Sequence, residues 1–133
     1  MGQVSKKLYS DMANFKTHFI VGAAVGASLN LMKQSVEKAA TPSRDFDWGE
    51  LLTWTAVGAG AASLPDLLEP ALNPNHRGFF HSFAIGFLIL YAIFGGPLQP
   101  LQGKLRDYLR LTGFGYLSHL ALDIVTPMGL PLF

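Results

Sequence analysis

Asn75-His76-Arg77-Gly78-Phe79-Phe80-His81-Ser82 opens the most apolar part of the chain: from Gly78 to Gly103 there is no Asp, Glu, Lys or Arg. These eight residues hold two histidines, an arginine and a glycine, a combination that reads as one wall of a metal site at the start of a helix. Gly78 allows the backbone to bend before that helix begins, so that His76 and His81 can both turn inward. The chain has four histidines in all. The other two, His18 and His119, also open or close apolar segments.

Outward from this stretch, four apolar segments stand out: Phe15–Met32, Glu50–Leu64 stopped by Pro65, Phe79–Phe94, and Leu109–Val125 stopped by Pro127. They are long for strands and lack period-two alternation, which predicts helices. None reaches the ~20 residues that cross hydrocarbon straight through; spanning needs a locally thinned bilayer or a bundle that dips in. Gly22 with Gly26, and Gly58 with Ala62, are small-xxx-small pairs that let helix backbones approach. The connector Lys33–Gly49 reads as a polar solvent loop with one amphipathic turn, Pro65–Gly78 as a stiff turn. Lys104–Arg110 is basic and amphipathic, suited equally to a membrane surface and to a solvated first turn of the last helix. The expected fold is all-α: an up-down bundle of about four apolar helices, embedded in a membrane, in a single domain over residues 1–133.

Composition narrows the function. Half of the 133 residues are hydrophobic and 14% are charged, against roughly 25% charged in an ordinary soluble domain; the deficit points to lipid. Mean hydropathy is only +0.29, which also fits an unusually apolar soluble bundle. The net charge of +1 and the absence of a basic run exclude a nucleic-acid-binding surface. With no cysteine, disulfides and thiolate chemistry are excluded, and any metal must sit on His, Asp and Glu. Lys6, Lys7 and Lys16 ahead of an apolar stretch imitate a signal peptide, but a histidine inside the apolar part argues against one.

In an up-down-up-down bundle the start of the first helix, the end of the second, the start of the third and the end of the fourth share one end. His18, Asp66, Glu69, His76, His81, His119 and Asp123 then converge. His119 and Asp123 are i,i+4 on one helix face; Asp66 and Glu69 are i,i+3 if the Pro65 turn is helical. Imidazole and carboxylate suit zinc first, then manganese or iron, with magnesium at carboxylate-rich sites. Taken singly, His18 reads as a packing histidine, His119–Asp123 as an ion pair, and Arg77 as an interfacial anchor. Together, so many ionisable groups at one end of an apolar bundle imply a function.

Ser63-Leu64-Pro65-Asp66, His76–Ser82 and Gly115–Phe133 resemble the motifs of the YdjM-like family, with His18 part of the same pattern. These are small membrane-bound proteins described as metal-dependent hydrolases, one branch being called LexA-binding. The resemblance covers nearly the whole chain. It implies a multi-pass protein of a bacterial or archaeal inner membrane and a divalent metal, with zinc foremost. His18, Asp66, His76, His81, His119 and Asp123 are expected to form the metal shell, Glu69 to act as general base and Arg77 to hold an anionic group. The expected activity is hydrolysis of a phosphoester or lipid-linked substrate. Where many members carry Pro-Asp-x-Asp-His, this chain reads Pro65-Asp66-Leu67-Leu68-Glu69, so either Glu69 substitutes or a two-metal site has become a one-metal site. The alternative is a non-catalytic membrane scaffold with a structural ion that binds a protein partner.

Overall fold

The computed structural model describes residues 2–69, 78–125, 130 and 132, with side chains from residue 15 onward. Four helices make up the described chain: α1 (Gly2–Ala40), α2 (Trp48–Leu68), α3 (Phe83–Phe94) and α4 (Gly103–Ile124), with a single 3₁₀ turn at Phe79–His81 before α3. No strand occurs among the described residues, so the all-α expectation holds.

Helices α1, α2 and α4 are longer than their apolar windows, because polar residues continue them. Past Met32, Lys33 reaches Glu37 one turn on (2.9 Å) and Glu50 on α2 (2.8 Å), while Arg44 reaches Glu37 (3.1 Å). The Gln34 amide donates to Asn30 Oδ1 and to the Asp47 carbonyl and accepts the Asp47 N–H. The expected solvent loop is therefore half helix, and only residues 41–47 connect α1 to α2. Helix α1 stops before Thr41-Pro42 because a residue ahead of proline is pushed out of the helical region. Asp47 caps α2 by accepting the Glu50 N–H at 2.8 Å.

Pro65 does not end the second helix. Its ring removes one helical hydrogen bond, at a cost of about 3 kcal/mol in a free helix. Here Pro65 is buried, and the Glu69 N–H closes back onto its carbonyl at 2.9 Å. The last turn thus stays helical and carries Asp66 and Glu69. The third apolar segment is two elements rather than one: the Ser82 hydroxyl accepts the Ile85 N–H, starting α3, and donates to the Phe79 carbonyl. Lys104–Arg110 forms the opening turns of α4. Pro127 lies outside the described residues.

Helix α1 runs antiparallel to α2 and α4, and the three meet along a seam of small residues. A methyl group added at Gly22 would overlap the Ala62 side chain and the Gly58 carbonyl; one at Gly26 would run into the Trp54 backbone. On the other side, a methyl at Gly115 would lie 2.8 Å from Ala61 Cβ and 2.9 Å from the Gly58 carbonyl oxygen. The backbones approach as closely as the small-residue pairs suggest. Trp54, Leu111, Leu120 and Tyr116 fill the rest of the core. Helix α3 stands outside this three-helix core and packs on α4, with Ile93 wedged against Gly113.

Much of the outer surface is apolar. Phe87, Leu88, Tyr91 and Phe94 on α3 are each more than half exposed, as are Ile20 on α1, Leu52 on α2 and Leu105 on α4. Among the described residues no helix is long and apolar enough to cross a membrane. The expected membrane-crossing helices are therefore not found among the described residues: α3, the most apolar, has 12 residues, roughly 18 Å of length against ~30 Å of hydrocarbon, and α1, α2 and α4, though longer, hold no stretch of 18 residues that is apolar enough.

Candidate metal centre

The antiparallel arrangement brings six of the ionisable residues to one end. His18 comes from the middle of α1, which begins at Gly2 rather than near Phe15, Asp66 from the last turn of α2 and Glu69 from the residue that caps it, His81 from the 3₁₀ turn, and His119 and Asp123 from the last turns of α4. His76 and Arg77 lie outside the described residues. His81, His119 and Asp123 are at most 1% exposed and His18 6%; the Asp66 side chain is the most open of the set, at 30%. His119 is the hub. Its ring stacks on that of His18, with centroids 3.7 Å apart, and meets that of His81 edge-on at 5.1 Å.

Hydrogen bonds set the tautomers. The Ala62 carbonyl can only accept, so His119 Nδ1–H donates to it, at 2.7 Å. In the neutral ring this leaves the lone pair on Nε2, which points among carboxylates: 3.3 Å from Asp123 Oδ2 and 3.6 Å from Asp66 Oδ1. His81 has carboxylates on both ring nitrogens, Glu69 Oε2 at 2.8 Å from Nδ1, and Asp66 Oδ1 at 3.3 Å and Asp123 Oδ2 at 4.0 Å from Nε2; in the neutral ring, donation from Nδ1 across the shorter contact leaves the Nε2 lone pair facing Asp66 and Asp123. Asp123 Oδ1 lies 3.5 Å from His18 Nε2. Glu69 Oε2 also accepts the Gly78 N–H at 3.0 Å, and a methyl at Gly78 would lie 2.7 Å from Glu69 Oε1. Gly78 therefore matters for this close approach, its φ of −96° being open to any residue. Tyr116 donates its hydroxyl to the Phe80 carbonyl at 2.7 Å, tying the His81 turn to α4.

The electrostatics of the cluster follow from these contacts. Burial alone would lower the pKa of His81, but the hydrogen-bonded carboxylates of Asp66 and Glu69, with the nearby charge of Asp123, hold it above its ordinary value of 6.5. Burial alone would raise Asp66. Its hydrogen bond to His81 and the fields of His119, His18 and His81 instead keep it below 3.8. Tyr116 is pushed up to about 12 by burial and by the Glu69 charge, so it acts as a neutral donor.

The donor set fits a divalent ion. Two triads have their ligand atoms mutually within 4.8 Å, His18–His119–Asp123 and Asp66–His81–His119. Three of the four nitrogen–oxygen separations around His81 and His119 are 3.3–3.6 Å. Donors at about 2.0–2.2 Å from a tetrahedral zinc lie roughly 3.3–3.6 Å apart. Moreover, His119 Nε2 is buried and has no hydrogen-bond partner among the described residues. Both triads require that same nitrogen, and with Nδ1 spent on Ala62 it offers one lone pair. The arrangement therefore suits one ion rather than two sharing His119.

The profile of a family described as "YdjM inner membrane protein" matches residues 12–133. The chain belongs to the YdjM family. No curated protein and no solved structure matches the chain at a significant level. The YdjM match takes in every residue of the cluster. Sequence reasoning passed over three parts of this YdjM site: Tyr116, the Ala62 carbonyl and the contact of Gly78 with Glu69. Tyr116 stood inside a quoted motif, one turn before His119. The other two are backbone features that no residue type announces.

Proposed function

We propose that this YdjM-family chain is a metal-dependent hydrolase held at a membrane. One observation carries the reading: a buried His119 Nε2 that has no hydrogen-bond partner among the described residues faces two carboxylates, an arrangement that a cation satisfies and that is otherwise costly in a core. His81, His119, Asp66 and Asp123 are the ligands this supports best, with His18 beside them holding Asp123. A bound divalent ion, zinc first, would supply Lewis-acid polarisation of the scissile bond and activation of water. Asp66, the most open of the donors, marks the side from which substrate and water arrive. Glu69 receives the Nδ1 proton of His81, the carboxylate–histidine arrangement that orients a metal ligand; we assign it that positioning role rather than that of general base. Arg77, next to Gly78 in sequence, carries the planar fork that suits a phosphate group, and a phosphoester is the substrate class.

The family description and the exposed apolar surface support a membrane location, with the outer faces of the helices against lipid. A second reading, a scaffold with a structural ion that binds a protein partner, draws support from the near-complete burial of His81, His119 and Asp123. Metal content and hydrolysis of a phosphoester and amide panel, measured together, test the proposal. His81→Ala and Asp123→Ala are expected to lose both. A wild-type chain fully loaded with metal yet inactive on the whole panel would leave the scaffold reading standing instead.

A further inference from the structure

At the opposite end of the bundle a groove of about 470 Å³ runs between α1 and α4, in the size range of small-molecule sites. Its apolar wall includes Leu29, Met32 and Val36 from α1 and Phe114 from α4; Arg106 and Arg110 stand over it. Met32 and Val36 are 67% and 70% exposed, so the wall is open. Arg110 lies nine residues before His119, roughly 14 Å along the helix, which makes this site separate from the metal centre.

The charges around the groove are unevenly satisfied. Lys33 is held by Glu37 and Glu50, and Arg44 by Glu37. Among the described residues, Arg106 Nε reaches only Asp107 Oδ1, at 3.7 Å, without a hydrogen bond. Arg110 has no carboxylate within 4.0 Å among the described residues, and its Nε is buried with no hydrogen-bond partner. Two cations at i,i+4 repel each other on a helix, and a buried donor left unmade is costly. Both penalties vanish if an anion sits between them.

We propose that this groove binds an anionic phospholipid, its phosphate held by Arg106 and Arg110 and one acyl chain laid against Met32, Val36 and Phe114. A guanidinium fork matches phosphate oxygens in a way an ammonium does not. Basic pockets between apolar helices are where anionic head groups are recognised. The apolar wall distinguishes a lipid from a free phosphate, which would leave it uncovered.

The test uses the full chain in a neutral detergent, with melting temperature followed against dioleoylphosphatidylglycerol, dioleoylphosphatidylcholine and inorganic phosphate. The anionic lipid is expected to raise Tm saturably, with apparent affinity about tenfold weaker in Arg110→Gln, the loss of one charge-assisted contact. Arg110→Lys should recover only part of it, and Met32→Ser should weaken lipid binding while leaving both guanidiniums in place. Metal content stays unchanged in all three variants, which separates this result from the fate of the hydrolase reading. Equal shifts by the two lipids would overturn the role of the arginines. Equal shifts by inorganic phosphate would overturn the lipid, and undiminished binding by Arg110→Gln would overturn the site.

Discussion

Replacing Glu69 by Gln separates two roles that the same carboxylate could play. In the wild type, Oε2 accepts from His81 Nδ1 at 2.8 Å and from Gly78 N–H at 3.0 Å. An amide oxygen can still accept both bonds, so the turn should keep its shape. What is lost is the negative charge behind the imidazole, which raises the basicity of Nε2. Removing such a partner typically weakens metal binding 10–100-fold, or about 1.4–2.7 kcal/mol. A zinc competition titration on the metal-free protein should therefore show Kd rising by that factor. Glu69→Asp, which keeps the charge but shortens the reach by one methylene, should fall between the two. A general base would behave otherwise: its loss lowers turnover by about 10²–10⁴ and leaves metal affinity alone. Zinc affinity within twofold of wild type in Glu69→Gln would refute the positioning argument outright.

Two further outcomes are expected. Gly58→Ala and Gly60→Ala make the same chemical change two residues apart, yet should act with opposite sign. A methyl at Gly58 would meet the Gly26 backbone at 3.0 Å, whereas one at Gly60 meets nothing within 4 Å. Gly58→Ala should therefore cost about 1–3 kcal/mol by overpacking, and Gly60→Ala should gain about 0.5–1 kcal/mol of helix stability; equal shifts in chemical denaturation would contradict the seam. The metal-free chain should also lose stability on the alkaline side. Because the folded pKa of His81 is raised, its contribution is complete below 6.5 and disappears as pH climbs through the folded value. Asp66, with a lowered pKa, contributes above 3.8 and loses that contribution as pH falls through its folded value. Denaturation midpoints at pH 2, 3, 5, 7 and 9 check both arms, and His81→Gln should flatten the alkaline one.

The convergence of His18, Asp66, Glu69, His81, His119 and Asp123 was readable because alternating helix direction alone decides which ends meet. Helix extents were not. Lys33, Gln34 and Glu37 look like loop residues until their partners on the other side of the connector are known, and those partners, Asp47, Glu50 and Arg44, are supplied by the tertiary fold. Pro65 reads as a stop for the same reason: local propensity registers the lost hydrogen bond and cannot register burial of the ring. The roles within the cluster were equally hidden. Glu69 and Asp66 are both carboxylates one turn apart, and only the direction of the His81 ring tells which of them takes its Nδ1 proton. The multi-pass arrangement came from family resemblance and apolar content, whereas crossing hydrocarbon depends on uninterrupted length, which 12 residues in α3 do not provide.

The seam of Gly22, Gly26, Gly58 and Gly115 has a consequence for the medium in which the chain can keep its shape. Leucine-rich helices in water adhere because water expels them, and that force vanishes when the surroundings are themselves hydrocarbon. Backbone laid directly on backbone adheres by dispersion and by aligned peptide groups, neither of which relies on water. The contact that sets His18 against His119 should accordingly survive transfer between aqueous and oily surroundings. A protein built this way can bring a buried histidine–carboxylate cluster to a bilayer without its architecture depending on how deeply it sinks.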